Sequence, residues 1–236
     1  MGPIVSVGAP ARPHDLLRVR EPAVVTAEGP TPSWVEPALR RTPWVVVRRG
    51  RIQAGQIPVG VRGPARSQRF PAWLAVADVT ERRSPEDLWD SVENRPTPGL
   101  AYAPGRARTE AVPALAALAR VAPLLASRGY CWGPGGSVGF ELATAGPTAS
   151  ASSDLDVILR QSCRLEPDEA RSLQAALVAA AAPARIDVLL ETPRGGVSLT
   201  DLAAAPRQIL MRTADGPRLV ADPWTTDAEA GTEGGS

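Results

Sequence analysis

Apolar positions fall into two regimes along the chain. In the first part they sit in short β-branched runs; further on they recur at helical spacing between such runs. Residues 44–48 (WVVVR) and 57–62 (IPVGVR) predict strands, with the glycines of RGRIQAGQ turning the chain between them. Residues 73–79 (WLAVADV) are apolar enough to be buried. Residues 1–35 are proline-rich, with short apolar pieces at 15–17 and 23–25, and predict loops with one or two short strands. A helix start follows at Ser84-Pro85-Glu86-Asp87, with a serine cap, proline in the first turn and acids at the positive end of the helix dipole. That helix is expected to run to about Val92, and the Pro/Gly-rich stretch 94–108 reads as a linker. Residues 109–127 predict a helix through Leu115, Leu118 and Val121, with Pro113 in its first turn and Pro123 kinking its end.

From residue 129 strand and helix signals alternate. A short strand at 129–132 feeds a Gly-Ser turn, and residues 138–144 make two helical turns. After a small-residue loop at 145–152, a strand at 154–160, a helix at 166–182 and a strand at 185–191 follow. Short segments fill 197–220, with 213–217 as a hairpin turn. The expected fold class is α+β: a small β-rich domain (1–85), then a domain (86–224) with a mixed sheet flanked by helices. The acidic, Gly-rich tail 225–236 is expected to be disordered.

Charge sharpens that division. Residues 1–85 carry 13 arginines against 6 acids, net +7, and residues 86–236 carry 13 against 19, net −6. A basic first domain suits an anionic ligand or an acidic partner. All 26 basic residues are arginine, so no lysine is present to form a Schiff base or serve a P-loop. Phosphate must then be held by guanidinium forks, backbone N–H groups or a metal. His14 is the only histidine, which excludes a histidine-rich zinc site. No apolar run is long enough to span a membrane, and the N-terminus lacks the pattern of an export signal. Cys131 and Cys163 are therefore expected to be reduced, and the protein cytoplasmic.

The chemistry concentrates between residues 133 and 187. Strand alternation puts Asp154 and Asp156 on one face while Leu155 and Val157 point to the core. Neighbouring carboxylates repel unless a cation lies between them, and hard oxygen ligands select Mg²⁺ or Mn²⁺. Asp187 in the following strand is placed to complete the group. Gly136-Ser137, between strand and helix, offers a close backbone approach and N–H and hydroxyl donors to a phosphate, and Ser153 caps or hydrogen-bonds beside Asp154. Arg62, Arg66 and Arg69 form a basic set that is either a phosphate site or a solvated face. Asp15, Glu141 and Glu191 read as structural or exposed. Alone, a D-x-D or a G-G-S is a weak signal. The ordered set of strand, Gly-Ser, helix, D-x-D strand, helix and Asp strand is phosphoryl-transfer equipment.

That order resembles the nucleotidyltransferase superfamily. PWVVVRRG at 43–50, GQIPVGVRGPARSQR at 55–69, GSVGFELATAG at 136–146, SDLDVIL at 153–159 and RIDV at 185–188 resemble more closely the phosphoribosyl-dephospho-CoA transferases that serve malonate decarboxylase as holo-acyl-carrier-protein synthases. The resemblance covers about residues 11–224. It implies a nucleotidyltransferase-like second domain, Mg²⁺ dependence, and catalytic Asp154 and Asp156. It also implies transfer of a phosphoribosyl-dephospho-CoA unit from its 5′-triphosphate precursor to a serine of the apo acyl-carrier subunit, with release of diphosphate. Neither DNA, RNA nor a membrane is an expected partner. The family places Leu-Thr-Gly after the aromatic of the Gly-Ser segment; here Ala143-Thr144-Ala145-Gly146 carries one residue more. Transfer of another nucleotide, or a non-catalytic carrier-binding role, are the competing readings.

Overall fold

The computed structural model describes residues 10–22, 25–27, 29–93 and 104–225. The tail expected to be disordered lies, apart from Thr225, outside the described residues, as does most of the 94–108 stretch. The chain divides into two compact units. One contains residues 1–103 and Gly139–Thr148; the other contains Pro104–Val138 and the chain from Ala149 on.

The first unit is built on a six-stranded antiparallel sheet in the order β2-β5-β4-β3-β1-β6. Its strands are β1 (Leu16–Val19), β2 (Val25–Thr26), β3 (Trp44–Val47), β4 (Gln56–Arg62), β5 (Arg69–Ala75) and β6 (Val79–Arg83). The β-branched runs 44–48 and 57–62 are thus strands, as expected. One face buries Leu17, Val45, Val59, Val61 and Leu74 under helix α1 (Val35–Arg41), which contributes Val35 and Leu39 at i, i+4 spacing. The other packs Leu16 and Trp44 with Leu88, Phe140 and Ala143. Leu88 lies on α2 (Pro85–Glu93), whose start is a reciprocal capping box: the Asp87 N–H donates to Ser84 Oγ at 3.1 Å, and the Ser84 N–H to Asp87 Oδ2 at 2.8 Å.

The second unit opens with α3 (Arg106–Ala111) and α4 (Pro113–Ala126). The single helix expected over 109–127 is divided at Val112, whose extended backbone (φ −127°, ψ 96°) is what a following proline imposes. Part of the expected linker is helical, since α3 begins at Arg106. Pro123 stays inside α4. Then come β7 (Cys131–Pro134), α5 (Gly136–Thr144), whose residues from Gly139 on belong to the first unit, β8 (Leu155–Arg160), α6 (Pro167–Ala181), β9 (Ile186–Glu191), β10 (Gly196–Ser198), α7 (Leu199–Ala204), β11 (Ile209–Thr213) and β12 (Gly216–Val220). The sheet runs β12-β11-β10-β9-β8-β7 and is antiparallel except for the β8/β9 pair, which α6 connects as a crossover. It is therefore the mixed sheet with helices that was expected. Strand β8 is flanked on both sides in the sheet and buries Leu155, Val157, Ile158 and Leu159. No helix among the described residues is long and apolar enough to cross a membrane.

Candidate active site

Three strand ends meet along one edge of the second sheet, the edge formed by strand termini rather than by an outer strand: the end of β7, the start of β8 and the start of β9. The β7/β8 register pairs Pro134 with Val157, and the Gly135 N–H donates to the Asp156 carbonyl at 2.9 Å. The glycine turn is thus pinned to the acidic strand. Gly136 opens α5 with φ +55°, a conformation that L side chains rarely adopt. A Cβ there would lie 1.7 Å from Asp156 Oδ2 and 2.5 Å from its Cγ. The Asp156 carboxylate therefore rests directly against the first residue of α5, at the end of the helix dipole that favours negative charge. Ser137 follows in the first turn and is partly exposed.

The parallel β8/β9 register sets Asp156 opposite Asp187, on strands about 4.8 Å apart. Asp187 is exposed and Asp156 half-buried. Asp154, one residue before β8, accepts a two-point fork from Arg185: Nε to Oδ1 at 2.8 Å and Nη2 to Oδ2 at 3.1 Å. The Leu155 N–H, donating to the Arg185 carbonyl at 2.9 Å, fixes that alignment. Hydrogen bonding to the Asp154 carboxylate first, then the Asp154 charge, hold the Arg185 guanidinium above its ordinary range; burial opposes them, and the charge of Asp187 adds the smallest contribution. Ser153 closes the turn before the strand: its Oγ accepts from the Ser150 N–H at 2.9 Å, and its own N–H donates to the Ser150 carbonyl at 3.0 Å.

Of the residues singled out from sequence, Gly136, Ser137, Ser153, Asp154, Asp156 and Asp187 belong to the second unit. Arg62, Arg66 and Arg69 belong to the first. These arginines occupy one hairpin. Arg62 ends β4 as the register partner of Arg69, which begins β5, and Arg66 lies in the connection. Like charges directly across a hairpin are unfavourable unless they are shared with an anion or otherwise engaged. The Arg62 guanidinium lies 5.1 Å from the Phe140 ring centroid. Burial, then the charge of Arg66, pull Arg69 below its ordinary pKa. The loop is tight, for a Cβ on Gly63 would come within 2.6 Å of Gln68 Cβ and 2.8 Å of the Trp34 ring. Glu141 is fully buried and accepts from the Thr148 N–H at 2.8 Å, a structural role.

Arg185 was not among the residues expected at the site. The signal was present in the sequence: R-x-D at 185–187 repeats the two-residue step of D-x-D at 154–156. Parallel pairing of the two strands brings Arg185 to Asp154 and Asp187 to Asp156. Among the described residues no three His, Cys, Asp or Glu side chains group so as to hold a metal ion by themselves. The donors are nonetheless hard oxygens, the set Mg²⁺ uses when one or two carboxylates are completed by water and substrate phosphates.

Comparison with known proteins identifies the family. Residues 12–85 match the model of the phosphoribosyl-dephospho-CoA transferase MdcG N-terminal domain, and residues 102–223 that of its C-terminal domain. A phosphoribosyl-dephospho-CoA transferase of Pseudomonas putida (strain GB-1) is 38% identical over 219 residues, covering 93% of this chain and 98% of the relative. One from Azotobacter vinelandii is 39% identical over 213 residues (90% and 94%). One from Pseudomonas aeruginosa is 35% identical over 212 residues (90% and 93%). No solved structure matches. With both domain models matched and relatives this similar end to end, the chain belongs to the phosphoribosyl-dephospho-CoA transferase family of enzymes.

Proposed function

We propose that the protein transfers a phosphoribosyl-dephospho-CoA group from 2′-(5-triphosphoribosyl)-3′-dephospho-CoA to a serine hydroxyl of the apo acyl-carrier subunit of malonate decarboxylase. In the reaction the serine oxygen forms a bond to the α-phosphorus, the bond to the bridging oxygen breaks, and diphosphate leaves with its electron pair. The observation that carries the reading is that the C-terminal domain match, residues 102–223, contains the whole acidic edge from β7 to β9.

Asp154 and Asp156 are the residues that would hold Mg²⁺ or Mn²⁺, which supplies charge neutralisation to a triphosphate and its departing diphosphate. Asp187, exposed beside Asp156, is the group to take the proton from the attacking hydroxyl. The first turn of α5, with Gly136 and Ser137, presents N–H and hydroxyl donors to phosphate oxygens. Ser153 supports this arrangement by shaping the turn that delivers Asp154 to the edge. The Arg62/Arg66/Arg69 hairpin supplies positive charge to a donor that carries a triphosphate and a CoA-like diphosphate.

The test is mass spectrometry of apo carrier subunit incubated with the protein, Mg²⁺ and the triphosphate donor, with ATP as the competing donor. A mass gain of the phosphoribosyl-dephospho-CoA group on a serine peptide is the expected result; an adenylyl gain would replace this reading with protein adenylylation. Asp154→Ala is expected to lower the rate on the order of 10²-fold or more, as removal of a principal electrostatic group does. An unchanged rate would remove Asp154 from the mechanism.

A further inference from the structure

The acidic edge contains its own cation. Arg185 is 78% exposed in its side chain while Asp154 is 15% exposed, and the fork between them takes up both Asp154 oxygens. A guanidinium fork fits a carboxylate in the plane of its lone pairs. A hard divalent ion approaching from the same side needs the lone pairs the fork uses, and one bound to the remaining lone pairs would be repelled by the adjacent guanidinium charge. Two cations therefore contend for one carboxylate. The pair is also weak enough to exchange, because an ion pair with one partner this exposed contributes little net free energy. A triphosphate offers Arg185 a more highly charged alternative to Asp154, and Arg185 has the exposure to reach it.

On this basis, and resting on the metal-assisted reading above, we propose that Arg185 is a positioning residue. It holds Asp154 in its fork and must release it before Asp154 serves as a metal ligand. In this role Arg185 keeps the acidic edge ordered and limits metal binding until a polyphosphate draws the guanidinium away.

Direct binding of Mn²⁺ to the full chain, followed by loss of the free-ion EPR signal, tests this without reference to turnover. The variants are Arg185→Gln, Arg185→Lys and Asp154→Asn. Arg185→Gln is expected to bind Mn²⁺ about 2- to 5-fold more tightly than the unmodified protein, the range an exposed ion pair is worth. Arg185→Lys should fall between the two, and Asp154→Asn should bind more weakly than either. In transfer assays Arg185→Gln should reach half-saturation at lower Mn²⁺ while its KM for the donor rises. If Arg185→Gln binds Mn²⁺ no more tightly but Asp154→Asn still binds it less, the competition is refuted and the metal reading stands. If neither the unmodified protein nor Arg185→Gln binds Mn²⁺ at millimolar concentrations, both fall. A lowered melting temperature with unchanged metal affinity would assign Arg185 a purely structural role and overturn the proposal.

Discussion

Gly136 carries two demands that no other residue meets together. Its φ of +55° costs an L-residue about 1–2 kcal/mol, and its missing Cβ leaves the volume that the Asp156 carboxylate occupies. Gly136→Ala must therefore push Asp156 away or distort the first turn of α5. The expected result is a loss of transfer on the order of 10²-fold, as for misplacing a reacting group by about an ångström, with a fold that still melts cooperatively. Equal activity with a shifted melting temperature would assign Gly136 to the fold alone. At the other end of the helix the backbone places the wrong residue in the left-handed region. Ala145, not the Gly146 that follows it, lies at φ +56°, directly after α5. Ala145→Gly is expected to raise stability by roughly 0.5–1 kcal/mol in urea titrations, the strain relieved less the added freedom of the unfolded chain.

At the scale of elements, the chain was most legible where local physics and tertiary packing agree. The β-branched runs became β3 and β4, and Ser84-Pro85-Glu86-Asp87 became a reciprocal helix cap. It was least legible where pairing outweighs composition. Strand β6 (VTERR) is mostly charged, yet its backbone has β1 to pair with and its position at the sheet edge suits charge. Helix α1 hides behind Pro37 in its first turn, where the missing N–H has no intrahelical partner to lose. At the site, D-x-D marks the edge by itself, but Arg185 acquires meaning only from the parallel register of β8 and β9. The segment after β12 shows the same dependence on long-range partners. Asp222 accepts from the Trp224 N–H at 2.8 Å and the Thr225 hydroxyl at 2.9 Å, and pairs with Arg164. Burial works to raise its pKa; the Trp224 N–H, the Thr225 hydroxyl, Arg164 and the Thr225 N–H outweigh it and hold the carboxyl below its ordinary value of 3.8. A depressed folded-state pKa stabilises fully above the unfolded value and is lost as pH falls through the folded one. Asp222→Asn should therefore be less stable than the unmodified protein at pH near 7. The gap in urea midpoints should begin to close only as pH drops below about 3.8, the unfolded-state value. A gap that is constant across that window would show that the amide's geometry, not the charge, is responsible.

For the molecule as a whole, sequence order and structural unit do not coincide. The N-terminal family match ends at residue 85, yet the compact first unit also takes in α2 and Gly139–Thr148. That later segment supplies Phe140 and Ala143 to the cluster around Leu16, Trp44 and Leu88, and Phe140 is also the ring beneath Arg62. The Arg83 guanidinium lies 4.7 Å from the Trp44 ring and donates to the Ala143 carbonyl, 60 positions further along, so one face of the first sheet is completed by a later segment. A fragment ending at residue 103 keeps every strand of that sheet but loses this cover. Removing one buried phenylalanine typically costs about 3–5 kcal/mol, a large share of the 5–15 kcal/mol that holds a typical domain together. The fragment is therefore expected to bind a hydrophobic dye and to unfold at much lower urea than the first transition of the full chain. Grafting residues 139–148 back through a flexible linker should recover much of that loss, and a graft carrying Phe140→Ala should recover much less. A fragment as stable as the full chain would mean that the strands close their own core, and that the segment from α5 is carried by the first unit without supporting it.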